Sequence, residues 1–214
     1  MNIESWFELS GIVVAVLGGG IVGGYKISKA HGRKLLKKDF PDNKFWTTHT
    51  RMHEALTELR LKTDCARAQL VQFHNTGHFL DGISMKKMSL THESLETGIA
   101  SEMDGAGLNT KKDILLTLVV NSMVLMMKDD PQLRVTEELN SCHMKNLLHS
   151  NAVVAFSFLP IRRSDEQIVG YIMAQWCSLS KVDDVDINTM MLAMEDAREE
   201  IEIELNIEHK QAKV

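Results

Sequence analysis

Apolar residues recur every three or four positions in some stretches of this chain and every second position in others, and that contrast predicts most of its elements. Phe45 to Lys62 places Phe45, Met52, Leu56 and Leu59 along one side, the spacing of an amphipathic helix. Ala68 to His74 alternates and is rich in strand-forming residues, so it predicts a first strand. Asn75 to Gly82, with two glycines, predicts a turn region, and Ile83 to Leu90 a second strand. Thr91 to Gly107 reads as a polar, partly helical connection. Lys111 to Met127 reads as a short helix capped by Thr110 and then a strand over Met123 to Met127. Glu137 to Leu148 predicts a short helix. Val153 to Leu159 is a strand ending at Pro160, Arg162 to Glu166 a polar hairpin tip, and Ile168 to Cys177 its return strand. Asp184 to Glu208 closes the chain as a long acidic helix striped by Ile187, Met190, Met191, Met194, Ile201 and Leu205. The expected class is α+β, an antiparallel sheet with helices packed on one face.

The first residues follow neither period. Trp6 to Tyr25 carries no charge after Glu8, and as a helix it would span about 30 Å, the hydrocarbon thickness of a bilayer. Aromatic rings close both ends. Glu4 and Glu8 lie on one side of it, and Lys26, Lys29, Arg33, Lys34, Lys37 and Lys38 on the other. The positive-inside rule then puts everything after Lys26 in the cytoplasm. The expected order is an extracytoplasmic tip (1–5), a transmembrane helix (6–25) and a basic juxtamembrane linker (26–44), then a domain (45–208) and a tail (209–214). The localisation this implies is a single-pass protein of the inner membrane. Gly11, Ala15, Gly19 and Gly23 recur every four residues, a small-residue face on which two such helices can approach closely and self-associate.

Charge and composition narrow the rest. The net charge of −5 hides a basic N-terminal segment, and the chain from Asp39 onward is more acidic than the whole. That excludes nucleic acid as a partner of the domain, because phosphate contacts need clustered Lys and Arg. Cys65, Cys142 and Cys177 are odd in number and lack a C-x-x-C spacing, as expected of free thiols in a reducing compartment.

Beyond Thr50 the chain resembles the GAF family, small sensor domains related in fold to PAS domains. The resemblance rests on Leu56-Thr57-Glu58-Leu59 leading into Ala68-Gln69-Leu70-Val71-Gln72-Phe73 and on Lys145-Asn146-Leu147-Leu148 before the strand from Val153. It rests also on Ile168-Val169-Gly170-Tyr171-Ile172 ahead of the last helix, and it extends to about Asn206. The segment Phe73 to Ser94 looks like one found in GAF-like proteins that join this domain to a membrane helix, several of them in bacteriophages. The resemblance implies a ligand pocket between the sheet and the loops over it, without naming the ligand. It also makes pairing of protomers through the terminal helix an expectation. The chain departs from the better-known subfamilies: it lacks the Asn-Lys-Phe-Asp-Glu pentad of cyclic-nucleotide GAF domains, a cysteine placed for bilin attachment, and the cysteine spacing of the sulfoxide-reducing GAF enzymes.

One polar cluster suggests a site: His74, Asn75, His78, Asp81, His92 and Glu93, expected at strand ends around one rim and able to bind a small ligand. A metal held by His74 and His78 with His92 or Glu93 is the less favoured reading, since H-x-x-x-H across a strand and turn does not turn both rings one way. His49 and His53, four apart on the first helix, supply only two ligands. No cofactor and no catalytic residue is expected. The leading expectation is a non-catalytic, membrane-tethered sensor or adaptor that binds a small molecule or protein partner and forms a homodimer or higher homo-oligomer. The alternatives are a structural or interaction protein with a vestigial pocket, phage-encoded in one version, and more distantly a metal-dependent hydrolase using the histidines.

Overall fold

The computed structural model describes residues 43–78, 84–103, 111–119 and 128–212. The expected span Trp6 to Tyr25 and the small-residue face Gly11, Ala15, Gly19 and Gly23 lie outside these residues. Among those described, no helix is long and apolar enough to cross a membrane.

From Thr48 onward the chain is one compact unit. Helix α1 (Asn43–Thr63) carries Arg60 and Lys62 in its last turn, where cations suit the helix dipole, and Asp64 follows with φ of 48°. Strands β1 (Arg67–His78) and β2 (Ser84–Leu95) are followed by a short β3 (Ile114–Leu115), a 3-10 turn at Leu116–Leu118 and a short β4 (Arg134–Val135). After a second 3-10 turn at Thr136–Glu138 come α2 (His143–Ser150), β5 (Ala155–Arg162), β6 (Ile168–Trp176), a one-turn α3 (Leu179–Asp183) and the long α4 (Ile187–Ala212). The six strands form one antiparallel sheet in the order β3-β2-β1-β6-β5-β4.

Both faces of this sheet are covered, where the sequence pattern placed helices on one. Met52, Leu56 and Leu59 of α1 and Met190, Met194 and Ile201 of α4 pack on Leu70, Leu159, Ile172 and Trp176. On the other face Met144, Leu147 and Leu148 of α2 pack with Val71, Met88, Phe156, Phe158, Tyr171 and Met173. The cause is visible in the central strands: β5 and β6 are buried at almost every position, as strands covered on both sides must be.

Several boundaries differ from those the pattern predicts. Phe45 stays 42% exposed and Ile187 44%, so the apolar stripe of α1 begins at Met52, about two turns later than expected, and that of α4 at Met190, about one turn later. Strand β1 runs on to His78 and β2 to Leu95, because the polar residues there occupy ladder positions: His74 pairs with Lys87, Asn75 with Lys86 and Leu70 with His92. No helix forms over residues 96–103, and residues 111–119 hold a strand and a 3-10 turn in place of the expected short helix. The expected strand Met123 to Met127 lies outside the described residues. The helix expected over Glu137 to Leu148 is split, and Cys142 caps α2 by accepting the Lys145 N–H at 3.4 Å. Strand β5 passes through Pro160, and among the described residues β4 pairs only with Phe156 and Ala155, so no ladder bond on that side calls for the donor that proline lacks.

Candidate functional site

Strands β1, β6 and β2 pair so that Arg67 lies opposite Gln175, and Gln69 opposite both Met173 and Glu93. These side chains point away from α1 and α4, into the face covered by α2. Glu102 and Lys111 reach the same place from the segments after β2, where Leu90 N–H bonds the Lys111 carbonyl at 2.7 Å. Five polar residues are thereby enclosed: Arg67, Gln69, Gln175, Glu102 and Lys111, the last two each 1% exposed. With the half-buried Glu93 they make a network of two cations and two carboxylates, balanced in charge.

Its bonds run through Gln69. The Gln69 amide donates to Glu93 Oε1 at 2.6 Å, and its oxygen accepts from Lys111 Nζ at 2.7 Å and Gln175 Nε2 at 3.2 Å. Glu93 is held from its other side by Ser101 Oγ at 2.7 Å and the Glu102 backbone N–H. Arg67 donates to the carbonyls of Ala100 and Asn151 and to Gln175 Oε1. Lys111 Nζ sits 2.6 Å from Glu102 Oε2, an ion pair with neither partner open to water, and Arg67 Nη1 is 3.8 Å from Glu102 Oε1.

Burial is the largest single influence on this pair, with opposite outcomes for the two partners. It would raise the Glu102 carboxyl, but the Lys111 ammonium, backed by Gln69 and Arg67, outweighs it and holds the group below the usual carboxylate range. Burial likewise pulls the Lys111 ammonium down against the attraction of Glu102. Tyr171 and Cys177 on this face are both raised by burial.

Donors and acceptors in this interior are mismatched. Both Glu102 oxygens are buried; Oε2 is paired with Lys111 Nζ at 2.6 Å and Oε1 lies 3.8 Å from Arg67 Nη1, and neither accepts a further well-aligned hydrogen bond among the described residues. Meanwhile the same buried donors, beyond their bonds to oxygen, also meet sulfur, a weak acceptor: Arg67 at Cys177 Sγ, 3.2 Å, and both Lys111 and Gln175 at Met173 Sδ, 3.5 Å. The Tyr171 hydroxyl also meets sulfur, at Met88 Sδ, 3.6 Å away.

The residues singled out from sequence are dispersed. Glu93 belongs to the buried network. Its neighbour His92 faces the opposite side of the sheet, where its ring stacks on His49 of α1 with centroids 4.9 Å apart and Nε2 lies 2.7 Å from His49 Nδ1. Burial, then the charges of His49 and His53, push His92 down to about 4. His74 shares that side of the sheet but stands four residues further along β1, about 13 Å at strand rise. It bonds Ser89 Oγ at 2.9 Å and approaches Asp113. Asn75 and His78 are exposed, and Asp81 lies outside the described residues. The expected common rim is therefore not formed by His74, His92 and Glu93, because these polar residues sit inside strands, where adjacent positions face opposite ways. Among the described residues no three His, Cys, Asp or Glu side chains are placed to hold a metal. Gln69, Glu102, Lys111 and Gln175 were not anticipated. Gln69 and Gln175 left a trace in the sequence as polar residues at inward positions of otherwise apolar strands.

No family model matches the chain, and no curated protein matches it. Solved structures do. A red/green cyanobacteriochrome, NpR6012g4, in its green light-absorbing state superposes with a TM-score of 0.54 at 15% identity, over 78% of this chain and 99% of that one. The phycocyanobilin-bound GAF domain of a cyanobacterial phytochrome gives 0.51 at 11% identity, over 84% and 92%. GAF3 of Slr1393 from Synechocystis sp. PCC6803, in its photoproduct state, gives 0.51 at 13%, over 78% and 98%. The fold of this chain is GAF-like.

Proposed function

We propose that the chain is a non-catalytic sensor or adaptor, tethered to a membrane by its N-terminal run, whose GAF-like domain recognises a small molecule on the sheet face covered by α2. The observation that carries this reading is the buried network around Glu102. Enclosing two cations and two carboxylates is costly, and a polar interior with orphaned acceptors is a poor route to stability. Such groups are characteristic of recognition sites, where a ligand completes the bonding. One solved neighbour binds phycocyanobilin. Two features speak for a different ligand here: the interior is charged, and the half-buried Cys177 has its thiol raised by burial. Tethering is supported by the run Trp6 to Tyr25, uncharged after Glu8, with acidic residues at its start and basic ones after it. The Gly11, Ala15, Gly19 and Gly23 face supports association of protomers within the membrane.

The test is to purify the full chain in mild detergent and measure bound mass by native mass spectrometry. A stoichiometric small molecule in the wild type, lost in Glu102→Gln, is the expected result. An empty chain that also binds nothing from a metabolite extract would overturn the sensing reading. A periplasm-dependent reporter fused after Val214 should be silent, and strong activity would overturn the topology.

A further inference from the structure

We infer that the ligand is a compact, net-neutral molecule bearing an N–H donor beside an oxygen acceptor, the pairing that a free α-amino acid presents. This inference rests on the sensing reading above and specifies the ligand class of the same site. Three features of the network converge on it.

The first is the unfilled acceptors. Both oxygens of the Glu102 carboxylate are buried and unmatched by a well-aligned donor, although Lys111 Nζ lies 2.6 Å from one of them. An ionised carboxylate offers about four lone-pair sites, so an incoming ammonium or amide N–H finds partners there. The second is the misdirected donors. Besides their bonds to oxygen, Lys111 Nζ and Gln175 Nε2 both reach Met173 Sδ at 3.5 Å, and Arg67 Nη1 reaches Cys177 Sγ at 3.2 Å, so part of their donor capacity is spent on sulfur. A carboxylate or carbonyl oxygen placed among them would replace N–H···S contacts with charge-assisted N–H···O bonds, which are roughly twice as strong as neutral ones. The third is the charge balance: Arg67 and Lys111 already offset Glu93 and Glu102. A net anion or net cation would leave one buried charge uncompensated, whereas a zwitterion brings one charge for each side of the mismatch.

Ser101, Glu102 and Lys111 reach the network from outside the central β1–β6 pair. Phe156, Phe158 and Tyr171 border the same face and supply an apolar wall for a side chain.

The experiment is a thermal-shift screen of the full chain in detergent against the twenty free amino acids, followed by titration of any that act. At about ten times its dissociation constant, a true ligand should raise the midpoint by roughly 3–6 °C. Glu102→Gln keeps the side-chain volume and should weaken binding about tenfold or more, because its amide no longer pairs with an ammonium. Should that variant fold poorly, Glu102→Gln with Lys111→Met removes both charges together, should retain the wild-type circular dichroism, and should bind nothing. Binding that survives both variants unchanged would overturn the assignment to this site. If no amino acid shifts the midpoint while native mass spectrometry finds another small molecule bound, the ligand class is wrong and the sensing reading stands. If no amino acid acts and the chain is empty, both fail.

Discussion

The two faces of the sheet are built from alternate residues of the same strands, yet they obey opposite rules. On the side of α1 and α4, Leu70 pairs with Ile172 and Ile172 with Leu159, a row of aliphatic side chains under two helices. One residue along, Gln69 pairs with Met173 and Arg67 with Gln175, and this row meets a buried ion pair. The first row gains free energy from area removed from water, about 25 cal/mol per Å². The second gives up much of that gain to keep charges out of water. Stability therefore resides on the helix side, and the other side is where the recognition proposed above would take place. The comparison breaks if removing the charges proves as damaging as removing the aliphatic packing.

The largest effect should come from halving the ion pair. Lys111→Ala leaves the Glu102 carboxylate buried with only the more distant Arg67 to offset it, and denaturant unfolding should show a loss of about 3–5 kcal/mol. On the helix side, Leu56→Ala removes a fully buried side chain from the seam between α1 and the sheet, with an expected loss of about 3 kcal/mol by the same method. A loss under about 1 kcal/mol in either case would show that the corresponding face is not closely packed. Gly170→Ala belongs to neither face but to the contact between β6 and β1. Its Cβ would fall 2.2 Å from the Val71 carbonyl oxygen, so backbone must shift, and a cost of about 2 kcal/mol should appear as a lowered thermal midpoint.

These contrasts also explain what the sequence disclosed. The helix side was legible because its stripes on α1 and α4 are regular: Met52, Leu56 and Leu59 on one, Met190, Met194 and Ile201 on the other. The hairpin β5–β6 was legible for a similar reason, its polar tip falling between two apolar runs. The network was not legible, since Glu102 and Lys111 lie in polar connections where a charge ordinarily signals solvent, and only their packing against Gln69 buries them. The histidines misled in the opposite direction. Polar residues in His74 to Glu93 suggested turns, but strands β1 and β2 carry them in register, so His92 and Glu93 divide between the two faces.

A smaller effect tests the helix side through pH. His92 is held neutral by burial and by His49 and His53, which face it from α1, so its value in the folded chain, about 4, lies below the unfolded value of about 6.5. The unfolded chain therefore binds the proton first as pH falls. Stability from this site is complete above about pH 6.5, declines as pH drops toward 4, and changes no further below that. Its size is on the order of 1–2 kcal/mol once solvent screening of the partly exposed ring is allowed for. His92→Asn should flatten the dependence of the denaturation midpoint between pH 6.5 and 4. A slope identical to wild type would place the titration on other groups.

The smallest expected change is the most informative. In Glu102→Gln with Lys111→Met, both buried charges vanish while the volumes nearly persist. Replacing a buried ion pair by residues of similar size is often neutral or stabilising, because the desolvation cost disappears along with the attraction. The new amide in place of the Glu102 carboxylate would keep an oxygen acceptor and add a donor toward Gln69. The thioether in place of the Lys111 ammonium would lie against Met173, so the sulfur contact that Lys111 now makes becomes ordinary packing. Unfolding free energy should stay within about 1 kcal/mol of wild type or rise above it. That result, set beside the loss of about 3–5 kcal/mol expected for Lys111→Ala, would mean that the pair is costly to break and yet unnecessary to the fold. Charges in that position are then retained for what they bind. A double variant as unstable as Lys111→Ala would instead make the network part of the core, and the two faces of the sheet would no longer differ in purpose.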